Sequence, residues 1–166
     1  MKINKKKKVI VSILSFIFLI FTLYTIVWVV NYKSYDRFID ESLTKLSYSP
    51  NSFVDRNSSV IYGVKKPAFL SFTGNLTCVS EDGVLTILIW PSFMSKKTDK
   101  IGLIITDNEK QTSYMVYVDK KMEYNAEANE VIGYTKEEED EMRLLITKYK
   151  LELCNLYELA KAKFNL

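Results

Sequence analysis

The chain has 166 residues, 48% of them hydrophobic, a formal net charge of +3 and no histidine. Five lysines fall within the first eight residues, so the remainder is close to neutral and no basic nucleic-acid surface is indicated. Without histidine the commonest general base and zinc ligand are gone, and two cysteines are too few for a four-thiolate zinc site or a disulfide-rich scaffold.

Residues 1–8 form a basic tail that includes Lys5, Lys6, Lys7 and Lys8. Val9 to Val30 follow without a charge, a proline or a glycine. A helix of that length rises about 33 Å, against a bilayer hydrocarbon core of about 30 Å. Sixteen of its 22 residues are Val, Ile, Leu or Phe. At roughly −0.3 to −0.6 kcal/mol each, they favour insertion by about 5 to 10 kcal/mol as an upper bound.

The run is longer than a signal-peptide core, and no alanine precedes Ala68 to make a small-residue cleavage site. The expectation is an uncleaved, single-pass signal-anchor at residues 9–30. Lysines ahead of the span outnumber the basic residues just after it, which places the N-terminus in the cytoplasm and the rest outside. The leading lysines can also touch anionic lipid. Trp28 and Tyr32 fall where an aromatic belt would meet the membrane surface. Ser15 and Thr22 share one face of the span and could seat another helix, though small polar residues are common in such spans.

The aromatic stripe continues through Tyr35, Ile39, Leu43 and Leu46 at helical spacing, so residues 31–48 are expected to extend the span as an amphipathic stalk helix. That face packs on its own domain, on the membrane or on a second copy. Residues 49–67 read as a linker with one short strand, "SVIYGV", between Pro50 and Pro67.

Residues 68–166 are expected to form a small α+β domain. Leu70, Phe72, Leu76 and Cys78 alternate with polar residues. Glu81-Asp82-Gly83 marks a tight turn, and Val84 to Trp90 reads as a central strand stopped by Pro91. "IGLIIT" and "TSYMVYV" follow, with a turn at Asp107-Asn108-Glu109, completing a four-stranded antiparallel meander. A T-x-x-E capping box at Thr135 and Glu138 then opens a long C-terminal helix. Met142, Ile146, Tyr149, Leu153, Leu156, Ala160 and Phe164 form its sheet-facing side, with Leu144 and Leu151 on the other.

Glu137 to Asp140 and Glu141 invite a metal reading, but negative charge at a helix start accounts for them better. Tyr114, Tyr117, Tyr124 and Tyr134 could line a peptide or glycan surface, and strand cores use tyrosine as readily. Trp90 is a surface anchor or, more simply, a core residue. Cys78 and Cys154 either pair, closing a loop for about 4 kcal/mol in the chain-entropy picture, or stay free. "YMVYVDKKMEYN" resembles the last strand of PepSY-type envelope domains over a dozen residues, without their usual glycine after the aspartate. A match of that length does not assign the family.

With no phosphate loop, no nucleophile–base pair and no cofactor or metal motif, the expected role is a non-catalytic interaction module. It is held at the membrane and binds another envelope component. The alternative is a structural accessory subunit of a membrane complex, docking through the span and stalk. An enzyme using carboxylates such as Asp119 or Glu123 ranks third. Lysine and isoleucine usage has a bacterial style, so the sequons at Asn57 and Asn75 carry no expectation of glycosylation.

Overall fold

The computed structural model describes residues 5–69, 71–93, 95–107 and 112–166. The side chains of Lys5, Lys6 and Lys7, the whole of Leu70 and the turn residues Asn108 and Glu109 lie outside that description.

Helix α1 spans Lys5–Ser34. It is the one helix among the described residues long and apolar enough to cross a membrane, and the protein buries none of its apolar stretch. Thr22 and Thr25 return their hydroxyls to the Phe18 and Phe21 carbonyls, both at 2.8 Å, which satisfies them without a partner.

The helix does not continue as a stalk. The Ser34 hydroxyl donates to the Asn31 carbonyl at 2.6 Å, and a 3₁₀ turn follows over Tyr35–Phe38. The tighter turn brings Tyr35 and Phe38, three apart, onto one side, and both are buried. Ile39 is already extended, and Asp40 closes an Asx turn by accepting the Ser42 amide at 3.0 Å. The helical spacing of Tyr35, Ile39 and Leu43 is real, but the core takes these residues one by one from a turn and a loop.

Among the described residues seven strands make a single antiparallel sheet, in which spatial order equals chain order. They are β1 Thr44–Leu46, β2 Ser49–Asp55, β3 Ile61–Lys65, β4 Asn75–Val79, β5 Leu85–Pro91, β6 Thr98–Asp107 and β7 Thr112–Val118. The expected four-stranded meander is β4 to β7. The supposed linker supplies β2 and β3, and the supposed stalk supplies β1. β2 reads SPNSFVD, too polar to announce itself, and it forms because β3 gives it a ladder from Ser52–Lys65 to Asp55–Tyr62. At the β4–β5 turn Gly83 takes φ +73°, and Asp82 Oδ1 accepts the Val84 amide at 3.0 Å.

The register aligns two buried rows across the sheet. Val64, Leu76, Ile89, Ile101 and Val118 form one; Cys78, Ile87, Leu103 and Val116 form the other. Three helices follow: α2 Ala126–Glu130, α3 Lys136–Lys148 and α4 Lys150–Phe164. The capping box is formed, the Thr135 amide donating to Glu138 Oε2 at 2.8 Å and the Glu138 amide to Thr135 Oγ1 at 3.3 Å. The expected single long helix is broken at Tyr149, whose φ of −101° and ψ of 16° leave helical geometry. Beyond that break α4 lies on β4 and β5. Met142, Ile146, Leu153, Leu156, Ala160 and Phe164 are buried against the sheet, and Leu144 and Leu151 are exposed.

The end of α4 is tied back to the start of the domain. Phe164 meets Phe38 edge-on, and Lys163 Nζ lies 2.8 Å from Asp40 Oδ2 and 3.3 Å from Asp55 Oδ2.

Candidate functional site

Three regions are built with more care than packing requires. The first is the junction between α1 and the sheet. The β3–β4 loop runs along the last turns of α1 and is bonded to it at each step. Trp28 Nε1 donates to the Ala68 carbonyl at 2.8 Å, and Asn31 Nδ2 to the Phe72 carbonyl at 2.9 Å. The Gly74 amide donates to the Tyr35 hydroxyl at 3.1 Å. Lys66 is buried, pairs with Asp36, and places its ammonium 4.4 Å from the centre of the Tyr32 ring. Gly74 must be glycine, since a Cβ there would collide with the Lys65 carbonyl and the Tyr35 ring. Trp28 and Tyr32, assigned from sequence to a membrane belt, stack on each other and bond to their own domain. Asn31 and Lys66 carry much of this junction, and neither was singled out. A lone asparagine at the end of an apolar span was the available signal.

The second region is the outer face of the sheet. Register puts Ile61, Val79, Thr86, Ile104 and Met115 in one row on it, and Val54, Gly63, Thr77, Leu88 and Gly102 in the next. α4 packs on the opposite face, and Ile61 and Met115 stay 36% exposed. Between β2 and β4 this face holds a groove of about 410 Å³ whose walls include Val54, Ile61, Thr77 and Val79. Gly63 deepens its floor by lacking a side chain. Trp90 lies on the same face, over Gly102 and 5.9 Å from Tyr117, so it is neither a core residue nor a free anchor.

The third region is the β7 edge. Asn129, buried on the short α2, accepts the Tyr117 amide at 2.8 Å and donates to the Tyr117 carbonyl at 2.7 Å. The Tyr134 hydroxyl covers the Met115 carbonyl. With β1 only three residues long, neither edge offers an extended ladder to an added strand.

The remaining candidates are dispersed. Tyr114 donates to Glu141 Oε1 at 3.1 Å, Tyr117 is on the outer face, Tyr124 lies beneath Arg143, and Tyr134 holds the edge, so the four form no common surface. Asp119 Oδ1 accepts the Lys121 and Glu123 amides at 2.8 and 2.9 Å, holding the turn after β7. Met122 occupies that turn at φ +57° with its side chain buried. Glu123 faces Lys150 at 3.6 Å. Ser15 is exposed on α1, and Thr22 is half-buried there.

Cys78 is wholly buried on β4, its Sγ 3.7 Å from the Leu156 carbonyl, and burial pushes its thiol up to about 12. Cys154 is half-buried on α4, and both are free thiols. Among the described residues no group of three or more Cys, Asp or Glu side chains is placed to hold a metal ion.

No family model, no curated protein and no solved structure matches the chain. The functional reading therefore rests on geometry alone.

Proposed function

We propose that the chain is a single-pass membrane protein, N-terminus in the cytoplasm, whose α+β domain stands outside and acts by contact rather than catalysis. It holds an apolar segment of another envelope protein against the outer face of its sheet. The observation behind this reading is the groove along Val54, Ile61, Thr77 and Val79, on a face that α4 leaves open. Because the sheet edges are blocked or short, the face is the surface left for a partner. Anchoring supports the same reading, since confinement to a membrane raises a partner's effective concentration and lets weak contacts suffice.

The experiment has two arms. A C-terminal tag on protoplasts is exposed to protease; loss of the tag beside a surviving cytosolic marker supports the orientation, and protection of the tag overturns it. A photocrosslinking residue at Ile61 is then introduced alone and together with Val79→Glu. An adduct formed by the first and lost in the second supports the groove. An adduct that survives Val79→Glu, or none in either, refutes it.

A second reading makes the chain an accessory subunit seated through α1. A shallow furrow of about 450 Å³ along Phe18, Phe21, Thr22, Thr25 and Ile26 favours it. Replacing residues 9–23, ahead of the junction that Tyr24 and Trp28 make with the domain, by an unrelated apolar helix abolishes function on this second reading and spares it on the first.

A further inference from the structure

In an antiparallel meander successive turns alternate between the two ends of the sheet. The β1–β2, β3–β4 and β5–β6 turns therefore share one end, the end bonded to α1. Each of these turns exposes an aromatic ring: Tyr48 (77% exposed), Phe69 (56%) and Phe93 (51%). The described turns of the opposite end, Arg56-Asn57-Ser58-Ser59-Val60 and Ser80-Glu81-Asp82-Gly83-Val84, expose no apolar side chain, because Val60 and Val84 are half-buried against the core.

The rings also have a depth. Phe69 packs edge-on against Trp28 with centroids 5.2 Å apart, and Phe72 against Tyr24 at 4.8 Å; Phe93 meets Phe72 at 6.0 Å. Tyr24 precedes the end of the apolar run at Val30 by six residues, about 9 Å along the helix axis. That run exceeds the hydrocarbon thickness by only about 3 Å. If α1 spans a bilayer, these loops lie at the depth where acyl chains give way to headgroups.

Their backbone suits that place. Irregular chain near lipid requires its polar groups to be satisfied. The Ala68 and Phe72 carbonyls accept from Trp28 and Asn31. The Ser71 amide donates to the Ala68 carbonyl, and the Gly74 amide to Tyr35. Exposed Lys45, Lys65, Lys96, Lys97 and Lys100 ring the same end, and the turn after β7 adds Lys120 and Lys121, against Asp99, Asp119 and Glu123. That balance suits anionic headgroups.

We infer that this end of the sheet docks on the leaflet from which the domain emerges. Phe69 and Phe93 seat in the interfacial layer, and the lysines stand over lipid headgroups. The inference rests on α1 being a membrane span. It goes beyond anchoring because it fixes the tilt of the domain, turning the partner groove sideways along the membrane.

The test uses the full chain in nanodiscs containing anionic lipid, in a Cys154→Ser background where buried Cys78 stays unlabelled. Nitroxide probes are placed singly at Phe18→Cys, Phe69→Cys, Phe93→Cys and Glu81→Cys. Relaxation by oxygen is compared with relaxation by a water-soluble nickel chelate. The expected result is a positive depth parameter at positions 18, 69 and 93 and a negative one at 81. Positions 69 and 93 reading like 81, with 18 still in lipid, overturn the docked end and leave the span standing. Only one of the two loops in lipid overturns the two-loop contact. Position 18 reading as aqueous removes the span itself, and the inference with it.

Discussion

Asn129 binds Tyr117 as a neighbouring strand would, taking its amide at 2.8 Å and giving to its carbonyl at 2.7 Å. One side chain thus ends the sheet. Asn129→Ala leaves the half-buried Tyr117 amide unpaired, while the Tyr117 carbonyl keeps the Asn125 amide at 3.1 Å, and the expected loss of stability is about 1 kcal/mol. It also uncovers the β7 edge, so self-association should rise. Urea unfolding with light scattering on the same samples checks both. Unchanged stability would show that the edge needs no cap.

Lys163 gives the domain an acid-sensitive fastening. Its hydrogen bond, followed by that of Ser42, pulls the Asp40 carboxyl down to about 2. Asp55 is lowered too, first by the Ser42 hydroxyl and then by the Asn57 amide. A carboxyl held below its unfolded value of about 3.9 contributes stability above that value and loses it as pH falls toward the folded one. The stability of the parent protein should therefore decline between about pH 4 and pH 2. In Lys163→Met that decline should be shallower and stability at pH 7 lower. The Lys163 ammonium is lowered by burial and raised more by Asp40 and Asp55, a net rise. Its own contribution holds below the ordinary lysine range and fades only above it. Denaturation midpoints across pH, for both proteins, decide the matter.

Asp119 separates turn-holding from chemistry. Its Oδ1 serves two amides, and asparagine offers the same acceptor without a charge. Asp119→Asn should keep fold and partner binding, whereas Asp119→Ala should cost about 1 to 2 kcal/mol in stability. Folded Asp119→Asn protein without function would bring a catalytic carboxylate back into consideration.

The two thiols should answer a maleimide differently. Cys78 is wholly buried and pushed up to about 12, while Cys154 is half-buried. Intact-mass measurement is expected to show one adduct on native protein and two in denaturant. No adduct until a reductant is added would mean that the cysteines are paired.

Tyr35→Phe should loosen the junction by about 1 kcal/mol, because the Gly74 amide loses its acceptor. Gly74→Ala should do more, since the added methyl has no room beside the Tyr35 ring. Protease sensitivity of the Lys66–Gly74 loop reports both, and an unchanged cleavage rate would argue against a rigid junction.

The strands β4 to β7 were legible because alternation of apolar and polar residues is a local signal, and Asp82-Gly83 marked a turn. The capping box at Thr135 and the buried stripe from Met142 to Phe164 were legible for the same reason. β2 was not, because its polar residues become a strand only when β3 pairs with them. The stalk failed through degeneracy. Tyr35, Ile39 and Leu43 obey helical spacing, but the same intervals fit a 3₁₀ turn followed by a loop, and burial alone chooses. The break at Tyr149 left the apolar stripe uninterrupted and so gave no sign. The junction was hidden because Trp28 with Ala68, and Asn31 with Phe72, are contacts between residues about forty positions apart. The outer groove needed the register, which places Gly63 beside Thr77.

Strand order that equals chain order lets the sheet assemble in the sequence of its synthesis. Each strand meets its partner as soon as the next hairpin exists, and no strand waits for a distant one, which favours rapid pairing. With α1 as the proposed anchor, the chain can zip outward from it one hairpin at a time. Its apolar face nevertheless stays bare until α4 arrives, the last element to join. During that interval the membrane proposed to hold α1 would be the nearest apolar surface, and a half-made domain would rest there on the face that the finished one hides.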